Sequence, residues 1–128
     1  MPEVARVLAP GGRLGLLWNR RVEDEDWVAE LSTIIGSRGT PGSGRHFPDL
    51  GPPFGPVERR SVEWLHRLSR AEMMDWVASR SYIITLPDAR RRGVLGQVRD
   101  LIDTHPALAG DEIALHMLTH CSRADLPR

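Results

Sequence analysis

Apolar positions between Glu3 and Leu8 recur at helical spacing, and Ala9-Pro10-Gly11-Gly12 supplies the residues that stop a helix. Residues 12–18 then read Gly-Arg-Leu-Gly-Leu-Leu-Trp, a short and nearly continuous apolar run. That pattern predicts a strand covered on both faces, as in a parallel sheet. Behind it, Glu23, Asp24, Glu25 and Asp26 gather where a helix N-terminus favours negative charge, and Trp27, Val28, Leu31, Ile34 and Ile35 follow at helical spacing. Residues 36–56 are too rich in glycine and proline for regular structure, so a long loop is expected, either an active-site lid or an ordinary insertion. From 57 to 68 the chain alternates. Val62, Trp64, His66 and Leu68 form the side expected to be buried, and Arg59, Ser61, Glu63 and Arg67 the side facing water. Ser69-Arg-Ala-Glu72 is a capping box opening a helix whose buried side is Met73, Met74, Trp76 and Val77. A second box, Thr85-Leu-Pro-Asp88, precedes Val94, Leu95, Val98, Leu101 and Ile102, again at helical spacing, with Pro106 and Gly110 beyond the end. Residues 111–124 close the chain as a strand. The predicted order is helix, strand, helix, loop, strand, two helices, strand.

Composition narrows the functional classes. The 128 residues carry 17 arginines, no lysine and 17 acids, for a formal charge of zero. A nucleic-acid arm or a polybasic membrane anchor would need a positive surplus, so neither nucleic acid nor membrane is expected as a partner. With 41% hydrophobic residues the length supports one domain over residues 1–128 without disulfides or metal. Cys121 is the sole cysteine, and no stretch has the apolar length of a signal peptide or membrane span. A cytoplasmic protein is therefore expected.

His116, His120 and Cys121 invite a metal reading. On a strand, however, the two imidazoles would share a face about 13 Å apart and the thiol would point the other way. No metal site is expected. Nor is Cys121 expected as a nucleophile, since no helix N-terminus or basic cluster is predicted beside it. Arg90-Arg91-Arg92 reads as a solvated face of a helix, and Trp64 and Trp76 as core residues.

Residues 4–19, Val-Ala-Arg-Val-Leu-Ala-Pro-Gly-Gly-Arg-Leu-Gly-Leu-Leu-Trp-Asn, resemble the segment of class I S-adenosylmethionine-dependent methyltransferases in which a helix ends in a Leu-x-Pro-Gly-Gly turn and feeds the fifth strand. The later element order is similar to the C-terminal half of that fold. The resemblance implies an α/β fold: a partial Rossmann-like sheet of the fifth strand plus a C-terminal antiparallel strand pair, with three to four helices. Complete members begin with a strand and a Gly-x-Gly-x-Gly loop for the cofactor, then an acidic residue after the second strand. Neither feature is present, and the cluster Gly39-Thr-Pro-Gly-Ser-Gly44 lacks the strand-loop-helix setting such a loop needs.

The chain thus looks like a methyltransferase cut near its middle, or a fragment whose reading frame starts upstream of Met1. S-adenosylmethionine is the cofactor of the complete family, and little or none should bind to this chain alone. By position, the resemblance implies that Trp18, Asn19 and Arg20, at the end of the fifth strand, border the acceptor pocket, and that Arg80 and Tyr82 of Ser79-Arg-Ser-Tyr82 lie over the acceptor. Bland readings stand beside these: Asn19 capping a strand end, Trp18 in the core, Tyr82 half-buried in a helix-helix turn. Strand 12–18 should also expose an edge needing a partner, either a second copy of the chain or a separate N-terminal half. The alternative function is a non-catalytic, self-associating homodimeric module.

Overall fold

The computed structural model describes residues 2–36 and 50–127. Its elements are α1 (Pro2–Val7), β1 (Arg13–Arg21), α2 (Asp26–Ile34), β2 (Glu58–Ser69), α3 (Arg70–Ala78), α4 (Ser81–Ile84), α5 (Asp88–Thr104) and β3 (Glu112–Asp125), with a 3-10 turn at Pro106–Leu108. The fold is α/β, and the three strands form one sheet in the order β1-β3-β2. Among the described residues no helix is long and apolar enough to cross a membrane.

The turn that aims β1 follows from two glycines. Gly11 takes φ 73°, a backbone region open to glycine and costly for other residues. At Gly12 a Cβ would come within 2.7 Å of the Ala9 carbonyl oxygen, so a side chain is excluded there. β1 then runs antiparallel to β3: the Leu126 N–H donates to the Gly12 carbonyl at 2.8 Å and the Val22 N–H to the His116 carbonyl at 2.9 Å. This register turns the backbone groups of the even-numbered β1 residues toward β3. Those of Arg13, Gly15, Leu17 and Asn19 point to the sheet's outer edge.

Of the described residues, 2–20, 50–64 and 118–127 form one compact unit, and 21–36 with 65–117 form another. The first is built around Leu50, Phe54 and Ala124, with Val4, Ala5, Leu8, Leu14, Leu16, Val57 and Leu126 packed against them. The second has the larger core: α5 packs on α2 and α3, and Trp27, Leu31, Met73, Val77, Val98 and Leu101 meet Ile113, Leu115 and Met117 of β3. Along β3 the covered side therefore changes. Odd positions 113, 115 and 117 are buried in the second unit, and even positions 122 and 124 in the first.

Several expectations need correction. β1 is covered on one face, not two: Leu14 and Leu16 are packed, while Leu17 is 72% exposed and Trp18 56%. Its neighbour among the described strands is antiparallel, and β1 lies at the sheet's edge. The alternation along 57–68 does mark a strand, yet of Val62, Trp64, His66 and Leu68 only Leu68 is buried. The physical reason is that α1 and residues 50–57 pack on the other side of the first unit's strands, the side carrying Leu14, Leu16 and Ala124. Five helices form, against three to four expected. Arg80 leaves helical geometry with ψ 134° and the chain restarts as the single turn α4.

The Ser69–Glu72 box forms reciprocally, but the Thr85–Asp88 box does not. Thr85 instead closes α4, its hydroxyl donating to the Ser81 carbonyl at 3.1 Å, and Pro87 precedes α5 without a side-chain cap. The predicted loop 36–56 and the cluster Gly39–Gly44 fall largely or wholly outside the described residues.

Candidate functional site

The end of β1 carries Trp18, Asn19 and Arg20, all well exposed. The antiparallel register sets Asn19 opposite Thr119, whose hydroxyl donates to Asn19 Oδ1 at 2.6 Å. Thr119 Oγ1 in turn accepts from the Trp64 indole N–H at 2.8 Å. One hydrogen-bond relay thus runs from β2 through β3 to β1 and fixes the Asn19 amide by its oxygen. Among the described residues nothing accepts from Asn19 Nδ2, so two aligned donors remain for a ligand. Sequence reasoning missed Thr119 and gave Trp64 to the core; the pairing register that joins them to Asn19 is a long-range property.

Arg80 and Tyr82 belong to the other unit, at the break between α3 and α4. The Arg80 guanidinium carbon lies 3.7 Å from the centroid of the Trp76 ring, and that of Arg21 lies 5.6 Å from the same ring. Arg21 also reaches the buried Ser32 hydroxyl at 3.3 Å. Arg80 Nε is buried without a hydrogen-bond partner among the described residues. Burial pushes the Arg80 pKa below its usual value, and the Arg21 charge pushes it further down, while Tyr82 acts in the opposite sense. Tyr82 is 38% exposed. The five expected residues therefore fall into two groups: Trp18, Asn19 and Arg20 in the first unit, Arg80 and Tyr82 in the second.

The open side of the first unit's sheet holds a hollow of about 660 Å³ lined by Gly15, Leu17, Glu58, Arg60, Cys121 and Arg123 among others. In its lining Arg123 grips Glu58 at 2.8 Å; elsewhere in the same unit Arg13 grips Asp125 at 2.6 Å. Both pairs are exposed, so they set charge pattern more than stability.

The histidines have local partners. His120 Nδ1 lies 2.9 Å from the Ser61 hydroxyl, and His116 Nδ1 lies 2.6 Å from Asp24 Oδ2. His105 is 3.4 Å from Asp26, so two imidazoles hold the acidic segment that opens α2. The His116 hydrogen bond holds the Asp24 carboxyl below its usual 3.8. A carboxylate with a depressed folded-state pKa adds stability that is present above the unfolded value and lost as pH falls through the folded one. Asp24→Asn should therefore lower the urea midpoint at pH 6 and lower it by less at pH 3, where the parent has already lost part of the same contribution. An equal deficit at both pH values would show that the ionised pair contributes nothing.

No family model matches the chain. Individual proteins do. The chain is 51% identical over 127 residues to an uncharacterized methyltransferase of Mycobacterium tuberculosis, covering 98% of itself and 51% of the relative. An uncharacterized methyltransferase of Mycobacterium bovis matches with the same identity and coverage. An uncharacterized methyltransferase-like protein of Schizosaccharomyces pombe is 29% identical over 123 residues, 90% of this chain and 47% of that protein. The names of these relatives support a methyltransferase relationship, and the chain spans about half the length of the curated relatives it matches.

Proposed function

We propose that the chain is the acceptor-side half of a class I S-adenosylmethionine-dependent methyltransferase, with β1 as the fifth strand of the complete sheet and β2 and β3 as its C-terminal pair. The observation that carries this reading is the half-length match to proteins named methyltransferases, taken with a first strand whose outer edge has no strand beside it among the described residues. Unpaired backbone along an apolar strand calls for another strand.

The described residues do not fit the methyl donor. The β1–α2 and β2–α3 junctions contain no glycine loop, and three of the four acids after β1 are engaged: Asp24 by His116, Asp26 by His105, and Glu25 by the Trp27 indole N–H at 2.7 Å. Donor binding is therefore assigned to the other half of the enzyme. The contribution of this chain is to bind and orient the acceptor and exclude water, the means by which a bimolecular displacement gains most from a protein. Within the first unit Asn19 donates from its fixed amide, Arg20 supplies charge and Trp18 supplies aromatic surface; within the second, taken by itself, Arg80 supplies charge and Tyr82 aromatic surface.

Charge weighs against a homodimer through β1. The strand carries Arg13, Arg20 and Arg21 and no acid. Two copies paired antiparallel about Leu17 would set Arg13 opposite Arg21, a like-charge pair that destabilises a sheet.

Calorimetric titration tests the assignment. S-adenosylmethionine should give no micromolar binding with this chain alone, and should bind once the chain is refolded together with the unmatched half of the mycobacterial relative. Micromolar binding by the isolated chain would overturn the division of labour.

A further inference from the structure

Trp76, Arg80 and Arg21 make an arrangement that folding alone does not favour. A guanidinium presents five N–H donors in a rigid fork and is stabilised when carboxylate or phosphate oxygens take them in pairs. Arg80 is half-buried against an indole face, yet among the described residues no carbonyl, hydroxyl or carboxylate accepts a hydrogen bond from it. A second guanidinium, Arg21, lies over the same ring, and its charge works against that of Arg80. Stacking on Trp76 offsets part of the desolvation but satisfies no donor. By contrast, the other buried or bridging arginines of the second unit have acceptors: Arg67 meets Glu112, and Arg70 meets Asp103 and the Ile102 carbonyl at 2.7 Å. The Arg80 fork, without an acceptor among the described residues, thus sits beside a second guanidinium over the same ring.

We propose that Trp76, Arg80 and Arg21 form a receptor for a small organic oxyanion, which on the reading above is the charged group of the methyl acceptor. The anion's oxygens take the Arg80 fork edge-on while the Trp76 ring holds the guanidinium plane in place. Arg21 adds attraction without being released from Ser32. Tyr82 and Ile84, exposed on the next turn, offer surface for the apolar body of such a molecule. A carboxylate and a phosphate monoester share this recognition chemistry, and the test separates them.

The test is nitrogen-15 NMR of the arginine Nε–H groups at low ionic strength, with the Arg80 signal identified by its loss in Arg80→Gln. Benzoate and methyl phosphate are titrated in turn. The expected result is a saturable shift of the Arg80 signal, larger for one of the two anions, weakened by about tenfold or more in Arg80→Gln as followed by the Arg21 signal. Arg80→Lys should fall between, since it keeps the charge and loses the fork. Arg90→Gln, a change on the exposed start of α5, should leave the affinity as it is. A linear drift of all arginine signals together, or equal affinity in Arg80→Gln that retains the parent circular dichroism, overturns the receptor. The measurement needs neither methyl donor nor second half. Intact anion binding with no methyl transfer in the reassembled pair would refute the methyltransferase reading and leave the receptor standing.

Discussion

Leu115→Ala should lower the unfolding free energy by about 2–5 kcal/mol, the range for removing a fully buried leucine side chain from a core that cannot collapse into the gap. Leu115 has no exposed surface and lies between Ile113 and Met117 on the covered side of β3, within the core that α2, α3 and α5 close. Those elements are held from several directions, so the vacated volume stays largely open. Urea denaturation should show a lower midpoint at an unchanged slope. Leu65→Ala is the matched control: the same chemical deletion in the same unit, at a side chain 51% exposed, with an expected change within about 0.5 kcal/mol. If the two substitutions cost the same, the helices do not seal this side of β3 in solution.

Leu17→Lys should do the reverse, leaving the chain's own stability within about 0.5 kcal/mol while abolishing reassembly with the unmatched half of a full-length relative. Leu17 is 72% exposed, and the register turns its backbone groups to the outer edge of β1. An incoming strand would pair with those backbone groups and lay its own side chains beside position 17, where a lysine charge opposes edge pairing. Analytical ultracentrifugation of the mixed halves reads this directly. Wild-type association with undiminished association of Leu17→Lys would move the docking surface away from this edge.

Local signals were legible wherever a few neighbouring residues decide the outcome. Ser69 with Glu72 fixed the start of α3, and the spacing of Trp27, Val28 and Leu31 fixed α2. Pro10, Gly11 and Gly12 marked the turn into β1. The same kind of signal failed at Thr85 because two helix ends compete for one hydroxyl, and α4 takes it. Which side of a strand is covered was not legible. Val62 and Trp64 alternate as a buried pair would, but the elements that supply cover in the first unit pack on the opposite side. The candidate site was half legible. Residue type and position drew attention to Asn19 and Arg80, whereas Thr119 beside the first and Arg21 over the ring beneath the second come from far along the chain.

The hollow beside β1 contains the protein's single cysteine, partly open to solvent. A maleimide dye will therefore attach at Cys121 alone, without mutagenesis. Its emission should respond when anything settles over that side of the sheet, which makes the native chain a ready-labelled reporter for screening candidate companions.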